Sequence, residues 1–128
     1  MAGKHTIQIL YIEDDLEMID LVSLIISRRG FQVTGLQIGQ LDFDIIRLDP
    51  PDVILLDLMM PEMDGWEVYH LLKSDQTLKN VPVVIITAKA QPIDRVLGLE
   101  FAHVDGFINK PFHPDELLSC LDAILAGK

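Results

Sequence analysis

Five short apolar runs, separated by segments of helical spacing, constrain this chain more than any other feature of its sequence. The runs are Ile7 to Ile12, Phe31 to Leu36, Val53 to Asp57, Val81 to Thr87 and Gly106 to Asn109. Three of them are nearly continuous in Ile, Val and Leu, the pattern of strands buried on both faces. Between them, Leu16 to Arg29 carries Ile19, Val22 and Ile26 at helical spacing and stops at Gly30, a residue suited to ending a helix. Trp66 to Ser74 and Pro114 to Ala126 repeat that periodicity, the second opening with Pro, Asp and Glu where a helix start favours them. Leu41 to Leu48 is a short helical segment ending at Asp49-Pro50-Pro51, and Pro92 to Glu100 is one interrupted by Gly98.

Strand and helix alternating five times predict an α/β chain of (βα)5 type. Right-handed crossovers then favour a doubly wound, five-stranded parallel sheet between two helical layers. No linker or repeat divides the 128 residues, so a single domain over 1–128 is expected. Ten Lys and Arg against 20 Asp and Glu, a formal net charge of -10, oppose contact with nucleic-acid phosphates or anionic lipid. No apolar run is long enough for a membrane span and the first residues lack a signal peptide's apolar stretch, so a cytoplasmic location is expected. The one cysteine, Cys120, lies among Leu117, Leu121 and Ile124 and reads as a packing residue.

In such sheets a site forms at the carboxyl ends of the strands. There this sequence places Glu13, Asp14 and Asp15 after the first strand, Asp57 at the end of the third, Thr87 at the end of the fourth and Lys110 after the fifth. Carboxylates gathered at one sheet edge oppose one another's ionisation, and a hard cation with oxygen ligands, Mg2+, relieves that. With the charge reduced, Asp57 can act as a nucleophile toward an activated phosphoryl group. Lys110 can supply a cation and Thr87 a hydroxyl to phosphoryl oxygens, and backbone N–H groups near Met59 and Ala88 can complete the set. No histidine in these loops is a candidate general base, which suits phosphotransfer better than hydrolysis. Asp15 is expected to cap the first helix. Any one of these residues could be an ordinary turn or cap; their joint placement carries the signal.

The motifs resemble those of the receiver domain of bacterial two-component response regulators over nearly the whole chain. They are Ile9 to Asp15, with its acidic pair Glu13-Asp14; Pro51 to Gly65, with Asp57, Pro61 and Asp64-Gly65; Val84 to Ala88, ending in Thr87-Ala88; and Gly106 to Phe112, with Lys110-Pro111. The resemblance implies a flavodoxin-like fold, with Asp57 phosphorylated from a sensor histidine kinase or phosphotransfer protein. It implies Mg2+ on Asp14, Asp57 and the Met59 carbonyl, with Glu13 acting through a water. Thr87, Lys110 and the Ala88 backbone would hold the phosphoryl group, and Lys110-Pro111 would be a cis peptide. Thr87 and Phe107 would be the switch, altering a surface for a downstream protein or output domain. Such a protein catalyses its own phosphorylation and dephosphorylation but is a signalling switch rather than a turnover enzyme.

Departures from that pattern fall near the fifth strand, where His103-Val104-Asp105-Gly106 stands in place of a Gly-Ala-Asp-Asp turn. His103 is expected to be a turn residue, constrained by the lost glycine. Cys120 stands where winged-helix regulators carry a dimer-forming arginine. Met18, Leu21 and Ile25 form a second apolar stripe on the first helix, either a kinase-docking face or the flank of the core. A flavodoxin is disfavoured because Glu13-Asp14-Asp15 would repel a flavin phosphate. A haloacid-dehalogenase phosphatase lacks its second aspartate, Met59 standing in that place. A receiver acting mainly as an unphosphorylated docking module is the remaining rival. Both a stand-alone regulator and part of a longer protein remain open.

Overall fold

A computed structural model describes residues 6–88, 97, 99 and 102–127. Its strands are β1 (Gln8–Ile12), β2 (Gln32–Leu36), β3 (Val53–Leu56), β4 (Met59–Met60), β5 (Met63–Asp64), β6 (Val83–Thr87) and β7 (Gly106–Asn109). Its α-helices are α1 (Leu16–Ser27), α2 (Phe43–Leu48), α3 (Gly65–Ser74) and α4 (Pro114–Ala126). Five strands form one parallel sheet in the order β2-β1-β3-β6-β7, and β4 with β5 makes a two-residue antiparallel ribbon. The chain runs outward from β1 to β2 and then crosses back to β3, so the switch point lies between β1 and β3. This is the flavodoxin-like doubly wound sandwich.

The continuous apolar strands serve both faces. Leu10, Ile12, Ile54, Leu56 and Ile85 pack with Val68 and Leu72 of α3 and Ile46 of α2. Their alternates Ile9, Tyr11, Leu55, Val84 and Ile86 pack with Val22 and Ile26 of α1 and Leu117 and Leu121 of α4. That period of two, with both sets apolar, puts β1, β3 and β6 at the centre of three layers.

Several boundaries differ from the sequence reading. Asp57 lies just past β3 rather than within it, and β6 begins at Val83 because Val81 turns back on Leu78 and Pro82 has no N–H to donate. The first helix ends at Ser27, and Gly30 closes the turn with φ 79. The segment from Leu41 is helical only from Phe43, where Asp42 caps α2 by accepting the Asp44 N–H. The ribbon of Met59–Met60 and Met63–Asp64 was not foreseen. The helix expected over Pro92 to Glu100 lies outside the described residues except at Leu97 and Leu99. Asp15 does cap α1, accepting the Glu17 N–H at 3.0 Å. No described helix is long and apolar enough to cross a membrane.

On α1, the two readings of the second stripe divide by residue. Leu21 is 48% exposed, whereas Met18 and Ile25 are half-buried against the core. The flank of the core accounts for those two because the sheet face under α1 is wide enough to cover both sides of the Val22-Ile26 line. Cys120 also packs against that core, and burial raises its thiol pKa. His103 is in the left-handed region at φ 58, a conformation that costs a side chain about 1–2 kcal/mol.

Candidate functional site

The carboxyl ends of β1, β3, β6 and β7 open into a cleft of about 410 Å³ lined by Glu13, Asp14, Asp57, Met59, Ala88 and Lys110 among others. Each strand delivers its residue because parallel pairing aligns the strand ends. The Asp57 N–H donates to Ile12 O, and the Lys110 N–H donates to Thr87 O at 2.8 Å. The peptide from Lys110 to Pro111 is cis. On the far side of Asp57, Gly65 begins α3 against the backbone. A Cβ there would lie 2.4 Å from both Asp57 O and Leu58 Cα, so only glycine allows this approach. Asp64 caps the helix by accepting the Trp66 N–H.

The side chains form one buried polar cluster. Glu13 is 2% and Asp57 3% exposed. Lys110 Nζ bonds Glu13 Oε1 and lies 3.5 Å from Asp57 Oδ2. The Met59 N–H donates to Asp57 Oδ1 at 3.1 Å. Burial, and then the adjoining Glu13 carboxyl, push the Asp57 carboxyl up to about 6, against the pull of the Met59 N–H and Lys110. A carboxylate held this way is anionic at neutral pH but incompletely compensated.

Glu13, Asp14 and Asp57 all line the cleft, though among the described residues no three His, Cys, Asp or Glu side chains close around a single metal position. Asp14 is turned toward the loop after β2, where its Oδ1 accepts the Ile38 N–H at 2.8 Å and its carbonyl accepts Gln37 Nε2 at 2.9 Å. Lys110, expected to hold a phosphoryl oxygen, reaches the cleft and pairs with Glu13 and Asp57. Thr87 is fully buried at the end of β6. Phe107 is 5% exposed, in the cluster with Ile85 and Val104.

Sequence reasoning passed over Tyr11, whose buried hydroxyl donates to Glu13 Oε1 at 3.0 Å. Burial and then the Glu13 charge raise the phenol's pKa, so it stays a neutral donor. The available signal was its position: a tyrosine two residues before Glu13 and on the same face, between the aliphatic Leu10 and Ile12.

Comparison with known proteins bears on the family of the chain. The family model described as response regulator receiver domain matches residues 9–122. The transcriptional regulatory protein GltR of Pseudomonas aeruginosa is 35% identical over 91% of this chain and 48% of its own length. The DNA-binding response regulator MtrA of Mycobacterium tuberculosis is 36% identical over 92% of this chain and 50% of its own. The chain thus spans about half the length of these curated relatives. Among solved structures, the signal receiver domain of a signal transduction histidine kinase from Syntrophus aciditrophicus superposes with a TM-score of 0.80 at 32% identity, covering 94% of this chain and 90% of that one.

Proposed function

Because this chain belongs to the response regulator receiver domain family, we propose that its residues 1–128 act as one receiver domain that accepts a phosphoryl group on Asp57 from a phosphohistidine of a sensor histidine kinase or phosphotransfer protein. The observation that carries this is the buried Asp57 carboxylate on the cleft, with Lys110 Nζ 3.5 Å from its Oδ2. An Asp57 oxygen forms the bond to phosphorus as the phosphorus–nitrogen bond of the donor breaks, its electron pair staying on the imidazole nitrogen, which takes up a proton. Lys110 then has a phosphoryl oxygen to pair with, and Thr87 and the Ala88 N–H hold others.

The donor chemistry fits Mg2+. The ligands would be oxygens of Asp14, Asp57 and the Met59 carbonyl, with Glu13 acting through a water. A pair of buried acids whose Asp57 carboxyl is pushed up to about 6 is the setting a cation relieves. The few protein ligands suit an ion that keeps several waters and takes phosphate oxygens. When bound, Mg2+ supplies positive charge to the phosphoryl oxygens during transfer.

Phosphorylation would draw Thr87 toward the phosphoryl group and let Phe107 move toward the space it leaves, reshaping the surface for a downstream protein or output domain. The chain is in this reading a cytoplasmic switch rather than a turnover enzyme. With a net charge of -10 its own residues are ill-suited to DNA, whatever its DNA-binding relatives contact. Incubation with acetyl phosphate and Mg2+, read by intact mass, tests the proposal. One phosphoryl adduct is expected on wild type and none on Asp57→Asn. Absence of an adduct on wild type, both with acetyl phosphate and with a phosphorylated histidine kinase, would leave the docking-module reading.

A further inference from the structure

We propose that Tyr11 is a positioning residue that keeps Glu13 partnered when Lys110 leaves it for the phosphoryl group, an inference resting on the reading of Asp57 as acceptor. Tyr11 is fully buried on β1, in register with Gly35 on one side and Leu55 on the other. Residues two apart on a strand share a face, so the phenol lies beneath the Glu13 carboxylate. Glu13 Oε1 accepts both the Tyr11 hydroxyl at 3.0 Å and Lys110 Nζ, while Oε2 accepts the Asp15 N–H at 3.3 Å.

A carboxylate only 2% exposed has little solvent to turn to beyond a metal-bound water, and a buried acceptor that loses a donor bears a desolvation cost. Were Lys110 the sole protein donor to Oε1, its departure toward Asp57 would leave that oxygen without a protein partner. Tyr11 removes the difficulty by remaining in place. Packing does not explain the hydroxyl: the ring lies among Val22, Leu55 and Ile86, and phenylalanine would fill the same space. Its flanking residues Leu10 and Ile12 are aliphatic, so the phenol is the polar group that β1 places beneath Glu13. Tyr11 touches neither phosphoryl group nor acceptor and acts through Glu13.

Tyr11→Phe, Glu13→Gln and the double variant, compared with wild type, test this by two measurements, with thermal unfolding confirming that each is folded. The first is the rate of phosphorylation by acetyl phosphate with Mg2+. Tyr11→Phe is expected to slow it about tenfold in the wild-type background, equivalent to about 1.4 kcal/mol, and less than about twofold in the Glu13→Gln background. The second needs no phosphodonor: reductive methylation of Lys110, followed by peptide mass. With Lys110 left as the side-chain donor to Oε1, Tyr11→Phe is expected to slow methylation several-fold, with no such change in the Glu13→Gln background. Equal slowing in both backgrounds, or Lys110 methylation unchanged by Tyr11→Phe, overturns the role of Tyr11. A wild-type chain that takes no phosphoryl group overturns the reading of Asp57 instead, and the methylation comparison still decides whether Tyr11 holds Glu13.

Discussion

Asp57 and Asp75 each end a regular element beside a single basic side chain, yet their carboxyls titrate in opposite directions. Asp57 follows β3 into a buried cluster where another acid, Glu13, shares its lysine, and its pKa rises to about 6. Asp75 follows α3, where Arg47 Nε donates to its Oδ2 at 2.6 Å and the Thr77 and Leu78 N–H groups donate to its Oδ1. Hydrogen bonding from Arg47 is the main reason its pKa falls below the usual carboxylate range. The difference lies in burial and supply: Asp75 accepts from an arginine it shares only with the exposed Asp44 and from two backbone N–H groups, whereas Asp57 is buried with one backbone N–H and a lysine shared with the buried Glu13. An under-compensated carboxylate suits a site that awaits a cation or a phosphoryl group, and a fully compensated one suits a loop anchor.

Breaking the site half of this comparison should have the largest effect. Gly65→Ala drives a methyl group into the Asp57 and Leu58 backbone and is expected to cost about 3 kcal/mol, with phosphorylation lost in proportion to the displacement of Asp57 and the Asp75 end untouched. Urea unfolding and the acetyl phosphate assay measure the two losses.

The next effect has the opposite sign. Asp57 is raised in the fold, so the stability associated with it is fully present below its unfolded pKa and is lost as pH rises through about 6. In EDTA at pH 7, Asp57→Asn is therefore expected to stabilise the chain by up to about 3 kcal/mol, at about 1.4 kcal/mol per pKa unit. The gain should vanish below about pH 4. A variant no more stable than wild type at pH 7 would break the contrast with Asp75.

Asp75→Asn should show the smallest effect and the reverse pH dependence. The stability from a lowered carboxyl is present above its unfolded pKa and lost as pH falls through the folded one. The variant should thus melt below wild type at neutral pH and converge with it in acid. Arg47→Met should reproduce that profile in a pH series of thermal melts.

The strands and most helices were legible because their signals are local. Continuous Ile, Val and Leu in Val53 to Leu56 require burial on two faces, and Asp15 by its capping side chain and Gly30 by its left-handed backbone mark the helix ends. The site residues were legible by position, since strand ends in a doubly wound sheet meet at one edge. Partners were less so. Asp14 turns to Ile38 and Gln37, more than twenty residues away, and Lys110 bridges Glu13 and Asp57 across three strands. The turn at His103 lost its glycine in the sequence, but only the backbone showed that histidine takes the left-handed conformation itself.

By itself, then, the sequence determined the layer architecture and the placement of Glu13, Asp14, Asp57 and Lys110 at one sheet edge. Periodicity and element ends are written within a few residues of each other. Tertiary structure alone decided that Lys110 is shared by two acids, that Asp57 is pushed up in pKa, and that a core tyrosine reaches Glu13 from below. Those properties depend on burial and on distances between strands, which no local stretch of sequence contains.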